Sequence, residues 1–273
     1  MSRFSRNEAL FGTKGQDLIE ETCVAICGVG GLGSHVLQQL VYLGVRRFKL
    51  IEFDFVTPSS MNRLIGALET DVPAKTPKLR VAQRVIEGVR GDSEVDTFEG
   101  RIAEAPSEFF TNADFVFGCL DKDVHRLELL SRSYANGLPY LDIATDVLGD
   151  AEDPAYGGRM VFCGGDGCLV CLPGILDQEA IAREGLDPAQ IEAHRKIYGV
   201  DSDALDETGP SVVSLNGVVA SLAVTEFMAY QTGLRSPFAQ LTYRGELGVV
   251  TKSLDQGEPG CVFCDAFKAT SER

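Results

Sequence analysis

The first 150 residues of the chain alternate between short apolar runs and stretches in which apolar residues recur every three or four positions. Apolar runs of this length predict strands buried on both faces, and the recurring spacing predicts amphipathic helices. The predicted strands are Thr22–Cys27, Phe48–Phe53, Val95–Phe98, Asp114–Cys119 and Leu138–Ile143. The predicted helices are 8–21, Ser34–Leu43, Pro77–Val89 and 123–136. Strands that alternate with helices predict an α/β fold whose mainly parallel sheet is covered on both faces.

The pattern changes after about residue 155. Gly158–Cys163 begins a region that is richer in β-structure, and further strands are expected within 238–255. A polar, acidic crossover segment is predicted over 177–207, with a short helix near 179–197. The other predictions for this half are a long helix over Ser211–Tyr230, whose small residues suit close packing, and a short polar tail over Lys268–Arg273.

A glycine-rich turn follows the first predicted strand. The stretch 28–34 reads Gly-Val-Gly-Gly-Leu-Gly-Ser and opens the next predicted helix, which is the context that a nucleotide-binding fingerprint requires. Glycine lets the backbone approach phosphate, and the helix N-terminus offers unpaired N–H groups. The candidate nucleotide-binding residues here are Gly28, Gly30, Gly31, Gly33 and Ser34. Dehydrogenases use the same device, so the turn alone predicts only a nucleotide.

Two carboxylates end the second predicted strand, about twenty residues beyond the glycines. Glu52 and Asp54 are both candidates to accept hydrogen bonds from ribose hydroxyls, and the sequence leaves open which of them does so. The strand, glycine turn, helix and second strand form one βαβ unit. The predicted fold is therefore Rossmann-like and doubly wound, with an added β-rich part at its C-terminal end.

Two CxxC pairs lie in the second half of the chain. They are Cys168 with Cys171 and Cys261 with Cys264, separated by 89 residues. Each pair can supply two corners of a tetrahedron, so together they predict a closed, structural zinc site that clips distant segments together. A redox function is the alternative, and we expect neither pair to open a helix directly after a strand, as a thioredoxin-like motif would.

The formal net charge of −15 argues against general binding to nucleic acid, which depends on lysine and arginine contacts to phosphates. Solubility is the simplest interpretation of this acidity, and a basic protein partner is the alternative. No run of about 18 uninterrupted apolar residues occurs, and the N-terminal residues lack the apolar core of a signal peptide. The sequence therefore predicts a cytoplasmic protein without a membrane segment.

Four further motifs resemble those of the ThiF/MoeB/HesA superfamily of E1-like adenylyltransferases. Val56–Arg63 resembles the family stretch V-x-x-S-N-L-N-R, and Thr76–Ala82 resembles its lysine helix. Gly118–Asp121 matches a strand-end aspartate, and Arg3–Asn7 resembles the family's RYxRQ opening. The resemblance runs from about residue 3 to 264, and the two CxxC pairs stand where ThiF- and MoeB-like proteins carry them.

The resemblance implies an enzyme that uses ATP and Mg²⁺ to adenylate a carboxylate, with Zn²⁺ as a structural ion. Arg63 and Lys78 would clamp phosphate oxygens, Asp121 would hold Mg²⁺, and Asn62 would hydrogen-bond near the phosphates. Arg6 would reach the phosphates of a neighbouring subunit in a homodimer. The implied partner is a small ubiquitin-like or sulfur-carrier protein that ends in Gly-Gly.

The resemblance also implies one domain over 1–273. Its nucleotide-binding half would be 1–150, and its carrier-binding half would be 151–273, with the crossover loop and the zinc site.

Departures from the family pattern modify this prediction. Glu52 replaces the usual first aspartate, and Leu64 stands where a glutamine is usual. No cysteine lies between Cys171 and Cys261, and the segment 204–210 offers only Thr208 and carboxylates, which argues against a thioester on the crossover loop. Cys119 and Cys163 are the remaining candidate nucleophiles, but their apolar settings favour a place in the core.

Three other functions remain open at this point. A relative that activates a peptide, a small molecule or a modified tRNA base would use the same AMP chemistry. A non-catalytic subunit of an E1-like complex would use the fold to hold a partner. An NAD-dependent oxidoreductase would explain the glycine turn but not Arg63, Lys78 or the cysteine pairs.

Overall fold

The structure is a computed structural model that describes residues 2–148, 155–177, 181 and 211–271. Its strands are β1 Cys23–Cys27, β2 Arg47–Glu52, β3 Glu94–Glu99, β4 Phe115–Gly118, β5 Tyr140–Leu148, β6 Ala155–Cys163, β7 Gln240–Arg244 and β8 Val249–Lys252. Its α-helices in the described ranges are α1 Ser5–Glu21, α2 Gly31–Leu43, α3 Asp71–Ala74, α4 Lys78–Val89, α5 Asp123–Ala135, α6 Val213–Thr232 and α7 Val262–Ser271. Short 3₁₀ helices lie at Pro58–Ser60, Ile102–Glu104 and Ser107–Phe110.

All eight strands form one sheet in the order β3-β2-β1-β4-β5-β6-β7-β8. The pairs from β3 to β5 are parallel, and β6, β7 and β8 continue the sheet with antiparallel pairs. This arrangement confirms the predicted Rossmann-like fold with a β-rich addition at its C-terminal end. The order also places the carboxyl ends of β1 and β4 side by side, where α/β sheets bind ligands.

Residues that alternate along the central strands enter two different cores. On β1, Val24 and Ile26 belong to the core that also contains α2, α4 and α6 side chains, whereas Ala25 and Cys27 belong to the core beneath α5 and α7. Both faces of the strand are therefore buried. This burial is the reason that the parallel strands appear in the sequence as continuous apolar runs rather than as alternating ones.

Helix α6 is the helix most deeply packed in the second half. It is long and apolar enough to cross a membrane, but half of its most apolar stretch is buried inside the fold. Val219, Ala223 and Phe227 are each fully buried in the core that also contains Met160 of β6. A core helix accounts for this apolar character, and the small residue Gly217 lets α6 pack close to His35 of α2.

The structure corrects two predictions, one near the C-terminus and one in β5. The expected polar tail from Lys268 is wrong, because α7 continues to Ser271. The second CxxC lies at the start of α7, but a loop separates that helix from β8, so this pair does not open a helix directly after a strand, as expected. Strand β5 runs five residues beyond its predicted end, because β6 pairs with it over its whole length. Most of the predicted crossover segment, with its helix near 179–197, lies outside the described residues. Thr208 lies wholly outside them. The division of the domain into halves at 150 stays a prediction.

Candidate active site

A cavity of about 800 Å³ lies at the carboxyl ends of β1, β2 and β4 and continues across β5 and β6. The lining residues that the sequence predicted are Gly28, Gly30, Gly31, Glu52, Asp54, Arg63, Lys78 and Asp121. The motifs found separately in the sequence therefore meet in one cavity. Three predicted residues, Gly33, Ser34 and Asn62, lie beside it without lining it, and Arg6 is an exposed residue of α1.

Three glycines of the turn occupy their positions for different structural reasons. Gly28 has a φ of 86°, and a Cβ there would lie 2.5 Å from the carbonyl oxygen of Cys119. A Cβ on Gly33 would lie 1.9 Å from the carbonyl oxygen of Gly28, so this glycine lets α2 pack against the turn. By contrast, a Cβ on Gly30 would meet no atom within 4 Å. Gly30 therefore marks the open side of the turn, where a ligand can approach the backbone.

Two side chains near the turn hold it in shape. The Glu52 carboxylate, 7% exposed, accepts hydrogen bonds from the backbone N–H groups of Val29, Phe53 and Asp54 at 3.0, 2.9 and 3.1 Å. Glu52 thus ties the glycine turn to the end of β2. The hydroxyl of Ser34 donates to the Gly31 carbonyl and accepts from the N–H of Ile65, at 3.0 and 3.1 Å. The Ser34 hydroxyl already has partners within the protein, and its predicted contact with nucleotide stays a prediction.

Lys78 is the first residue of α4 and reaches back to the end of β2. Its ammonium lies 2.7 Å from the carboxylate of Asp54, and its backbone N–H donates to the Asp54 carbonyl at 2.9 Å. The Lys78 side chain is only 15% exposed, whereas that of Asp54 is 48% exposed. The pair therefore presents an oriented ammonium at the wall of the cavity, and Asp121 is exposed after β4 on the same cavity.

Arg63 follows the 3₁₀ helix that Thr57 and Ser60 cap reciprocally. Its guanidinium donates to the Ser59 carbonyl and, at 3.1 Å, to the side-chain oxygen of Asn62. Asn62 itself is exposed and also donates to the Ser211 carbonyl at 3.5 Å, and its predicted contact near the phosphates stays a prediction. Next to them, Leu64 is buried in a small apolar cluster with Val56 and Val81, which explains in physical terms why an apolar residue fits this position.

Arg126 and Arg159 also line the cavity, and the sequence analysis missed both of them and the buried carboxylate behind them. Asp142 of β5 is fully buried and accepts from the guanidinium groups of Arg126 and Arg159 at 2.7 and 2.8 Å. The hydroxyl of Tyr140 donates to its other oxygen at 2.7 Å. Burial alone would raise the pKa of Asp142, but the charges of the two arginines lower it. Likewise, burial would lower the pKa of Arg126, and the charge of Asp142 raises it.

Asn216 is another lining residue that the sequence analysis missed. It is fully buried in α6, where it donates to the Ser211 hydroxyl at 3.1 Å and accepts from the Thr145 hydroxyl at 3.0 Å. An amide near the start of an otherwise apolar helix was the available signal, since a buried polar group requires partners. Asp142 and Arg159 also stood out, because each is a charged residue in a stretch that was predicted to form β-structure, and a buried charge requires a partner.

The thiols of the core do not fit a nucleophile. Cys27 and Cys163 are fully buried, and Cys119 lies at the wall of the cavity next to Cys27. Burial raises the pKa of each of these thiols above its ordinary value. Because the thiolate is the reactive form, the raised pKa disfavours both Cys119 and Cys163 as nucleophiles.

The two CxxC pairs come together under α5. The sulfur atoms of Cys168, Cys171, Cys261 and Cys264 all lie within 4.8 Å of one another. The distances from Cys168 to Cys171 and to Cys261 are 3.7 and 3.8 Å, and Cys171 lies 3.8 Å from Cys264. A tetrahedral zinc with Zn–S bonds of about 2.3 Å requires sulfur atoms about 3.8 Å apart. The cluster is therefore consistent with a zinc site, and it joins α7 to the loop that follows β6.

Comparison with known proteins gives a consistent result. A family model described as the ThiF family matches residues 4–255. The chain is 28% identical over 143 residues to the tRNA threonylcarbamoyladenosine dehydratase of Bacillus subtilis (strain 168), covering 52% of this chain and 56% of that protein. It is 30% identical over 142 residues to the sulfur carrier protein ThiS adenylyltransferase of the same organism, covering 51% and 42%. The chain thus spans about half the length of the curated relatives that it matches.

The fold is also that of a solved structure. The crystal structure of Escherichia coli MccB with MccA-N7isoASN has a TM-score of 0.71 to this chain, with 19% identity, and covers 96% of this chain and 74% of that one. At this level of identity the likeness concerns the fold alone. It supports the α/β architecture described above over nearly the whole chain.

Proposed function

The chain belongs to the ThiF family, and on that premise we propose that it is an ATP-dependent adenylyltransferase. The observation that carries the proposal is the single cavity in which the open glycine turn, Arg63, Lys78 and Asp121 meet. A dehydrogenase would need the glycine turn, but that function leaves Arg63, the lysine held by Asp54 and the cysteine pairs unexplained. Both cations suit a reaction in which negative charge develops on phosphates.

In the proposed reaction, a substrate carboxylate oxygen forms a bond to the α-phosphorus of ATP. The bond from that phosphorus to its bridging oxygen breaks, and pyrophosphate leaves with the electron pair. Lys78, held by Asp54, and Arg63, held by Ser59 and Asn62, would neutralise the phosphate oxygens. Asp121 would hold Mg²⁺, which prefers carboxylate oxygen and adds positive charge at the phosphates. The turn at Gly30 would receive phosphate on its backbone N–H groups.

The proposed acyl substrate is the C-terminal glycine of a ubiquitin-like or sulfur-carrier protein. The B. subtilis relative that adenylates ThiS supports this substrate class. The chain has no cysteine between 171 and 261 to form a thioester, so the acyl-adenylate would pass to an acceptor on another molecule. The four-cysteine cluster would hold Zn²⁺ as a structural ion, because four thiolates leave no open coordination position. Contact of Arg6 with a second subunit's phosphates, and the homodimer itself, stay predictions.

Two alternatives share the same chemistry or the same fold. A peptide or a modified tRNA could be the substrate, as the names of MccB complexes and of the tRNA dehydratases suggest for those proteins. The net charge of −15 argues against tRNA. A non-catalytic subunit of a larger complex is the other alternative, and the shared cavity of Arg63, Lys78 and Asp121 argues against it.

Pyrophosphate exchange into ATP tests the proposal, with Mg²⁺ and a panel of carrier proteins that end in Gly-Gly. We expect exchange that requires one of the carriers. Lys78→Ala or Asp121→Ala should lower it by about 100- to 1000-fold, as loss of one group that stabilises transition-state charge typically does. Lys14→Ala and Asp17→Ala are matched controls, because both residues are exposed on α1, away from the cavity.

The outcomes separate the alternatives. Exchange that survives both variants would contradict the assigned residues. Exchange that needs no carrier would contradict a carrier protein as the substrate. ATP binding without exchange on any carrier would move the proposal to a peptide or tRNA substrate. Absence of ATP binding would refute the enzyme and leave the partner-holding subunit.

A further inference from the structure

Arg159 lies in the half of the cavity that faces away from the glycine turn. It belongs to β6, directly opposite Ala144 of β5 and Thr242 of β7, and all three residues line the cavity. Its side chain is 17% exposed. Because the side chains of its two cross-strand neighbours are short, the guanidinium is not covered from the cavity side.

The guanidinium of Arg159 is held in place but not saturated. It donates to Asp142 at 2.8 Å and to the Ile175 carbonyl at 3.1 Å. A guanidinium carries five N–H donors. Within the described part of the chain, three of those five have no acceptor. Arg126 is paired more fully, because its two terminal nitrogens donate to Asp142 and to the carbonyl oxygens of Leu120 and Ile143. Its buried Nε lies 3.3 Å from Asp123 without forming a hydrogen bond.

The charges around Arg159 are also incompletely balanced. Asp142 supplies one carboxylate for two guanidinium groups. Among the described residues, Arg126 is the one of the two arginines with a second carboxylate near it, because Asp123 lies 3.3 Å from its Nε. Of these two arginines, Arg159 therefore carries the less compensated charge towards the cavity.

We propose that Arg159 binds the carboxylate that is to be activated, as a bidentate guanidinium–carboxylate pair. The inference rests on the proposed function, because it assigns the acyl side of the same reaction. An anionic substrate has to approach an anionic triphosphate, and Lys78 and Arg63 lie on the nucleotide side of the cavity. A cation on the opposite wall would offset the repulsion and fix the direction of attack. Asp142 is a positioning residue that holds this cation in its rotamer.

Binding of a short probe tests Arg159 without relying on turnover. The probe is acetyl-Ala-Gly-Gly, made once with a free carboxylate and once as the carboxamide, titrated into the ¹⁵N-labelled full chain. The readout is the Nε–Hε cross-peak of Arg159, assigned by its absence in Arg159→Gln. We expect the acid to move this cross-peak in a saturable way and the carboxamide to bind at least about tenfold more weakly, since only the acid offers a charged acceptor.

Variants test the same assignment. Arg159→Gln should weaken binding of the acid to the level of the carboxamide and leave the affinity for a non-hydrolysable ATP analogue within about twofold. Arg159→Lys should keep part of the preference for the acid, because it keeps the charge and loses the bidentate geometry. Arg244→Gln is the matched control, since Arg244 lies on the neighbouring strand with its side chain 55% exposed and paired to Glu246, outside the cavity.

The assignment to the carboxylate is overturned if acid and carboxamide bind equally, or if neither moves the cross-peak of Arg159. It is also overturned if the ATP analogue alone moves that cross-peak and loses affinity in Arg159→Gln, because Arg159 would then be a phosphate ligand. The comparison of acid with carboxamide needs neither ATP nor catalysis. Its result is therefore distinguishable from failure of pyrophosphate exchange, which would count against the proposed function.

Discussion

Substitution of Gly33 by alanine separates the two reasons for which a glycine can stand at that position. A Cβ at Gly33 would lie 1.9 Å from the carbonyl oxygen of Gly28 and 2.9 Å from its carbonyl carbon. Both are backbone atoms of the turn, so α2 and the turn would have to separate by more than 1 Å. Overpacking of this kind costs about 1–3 kcal/mol, and the displaced turn would also lose its fit to phosphate.

The sign of the effect makes the test sharp. Gly33 lies inside α2, and alanine in place of glycine within a helix is otherwise favourable by about 0.5–1 kcal/mol. If the steric reasoning is right, Gly33→Ala lowers the free energy of unfolding. If it is wrong, the same change raises it. Gly30→Ala is the matched variant, because the same methyl group at Gly30 would meet no atom within 4 Å.

Urea unfolding of the unsubstituted chain, Gly33→Ala and Gly30→Ala measures their stability, and titration with an ATP analogue measures their affinity for nucleotide. We expect Gly33→Ala to be less stable by about 2 kcal/mol, or about 4–8 °C in the midpoint of thermal unfolding for a domain of this size. Gly30→Ala should unfold nearly like the unsubstituted chain and yet bind the analogue more weakly, because its methyl group occupies the open side of the turn. Equal or greater stability of Gly33→Ala would refute the reasoning.

Three further outcomes follow from the structure. Asp142→Ala should cost about 3–5 kcal/mol in urea unfolding, because it leaves buried guanidinium groups without their carboxylate, and a loss below about 1 kcal/mol would contradict the network. A hydrogen bond from Arg84 lowers the pKa of Asp71 from 3.8 to about 2. Asp71 therefore contributes stability above pH 4 that is lost as the pH falls through about 2. Asp71→Asn should abolish this loss of stability at acid pH. The expected effect on the free energy of unfolding is on the order of 1 kcal/mol, because the side chain of Arg84 is 40% exposed and solvent weakens the ion pair. Cys261→Ser should lower zinc content from about one ion per chain and lower the unfolding midpoint, and a zinc-free protein unaffected by chelator would contradict the metal site.

Much of the fold was predictable from the sequence because the parallel strands are buried on both faces. Phe115–Gly118 has no polar side chain, and such a run has few alternatives to a central strand. The end of β5 and helix α7 were harder, because their form depends on partners far away in the sequence. Strand β5 continues where β6 pairs with it, and α7 packs its Phe267 against Tyr134 of α5 with ring centroids 4.7 Å apart.

The candidate site divides in the same way. The glycine turn, Arg63 and Lys78 lie in local motifs, so the sequence and its resemblance to a family are sufficient to single them out as candidates, and the structure places them on one cavity. Asp142 and Arg159 lie on neighbouring antiparallel strands, and their ion pair exists only once β6 has turned back along β5. No local spacing encodes that contact. The same is true of Asn216, whose partner Thr145 is 71 residues away.

The outermost strands of the sheet give its two edges different resistance to self-association. Strand β3 carries Glu94, Asp96 and Glu99 along one edge, and of these Asp96 is paired with Lys49. Two copies that met through this edge would bring like charges together, which is a common protection against edge-to-edge pairing. Strand β8, exposed along its whole length, offers Val249 and Val250 instead. In 1 M salt, where charges are screened beyond about 3 Å, the protection of the β3 edge weakens, while the β8 edge stays as open to another strand as before.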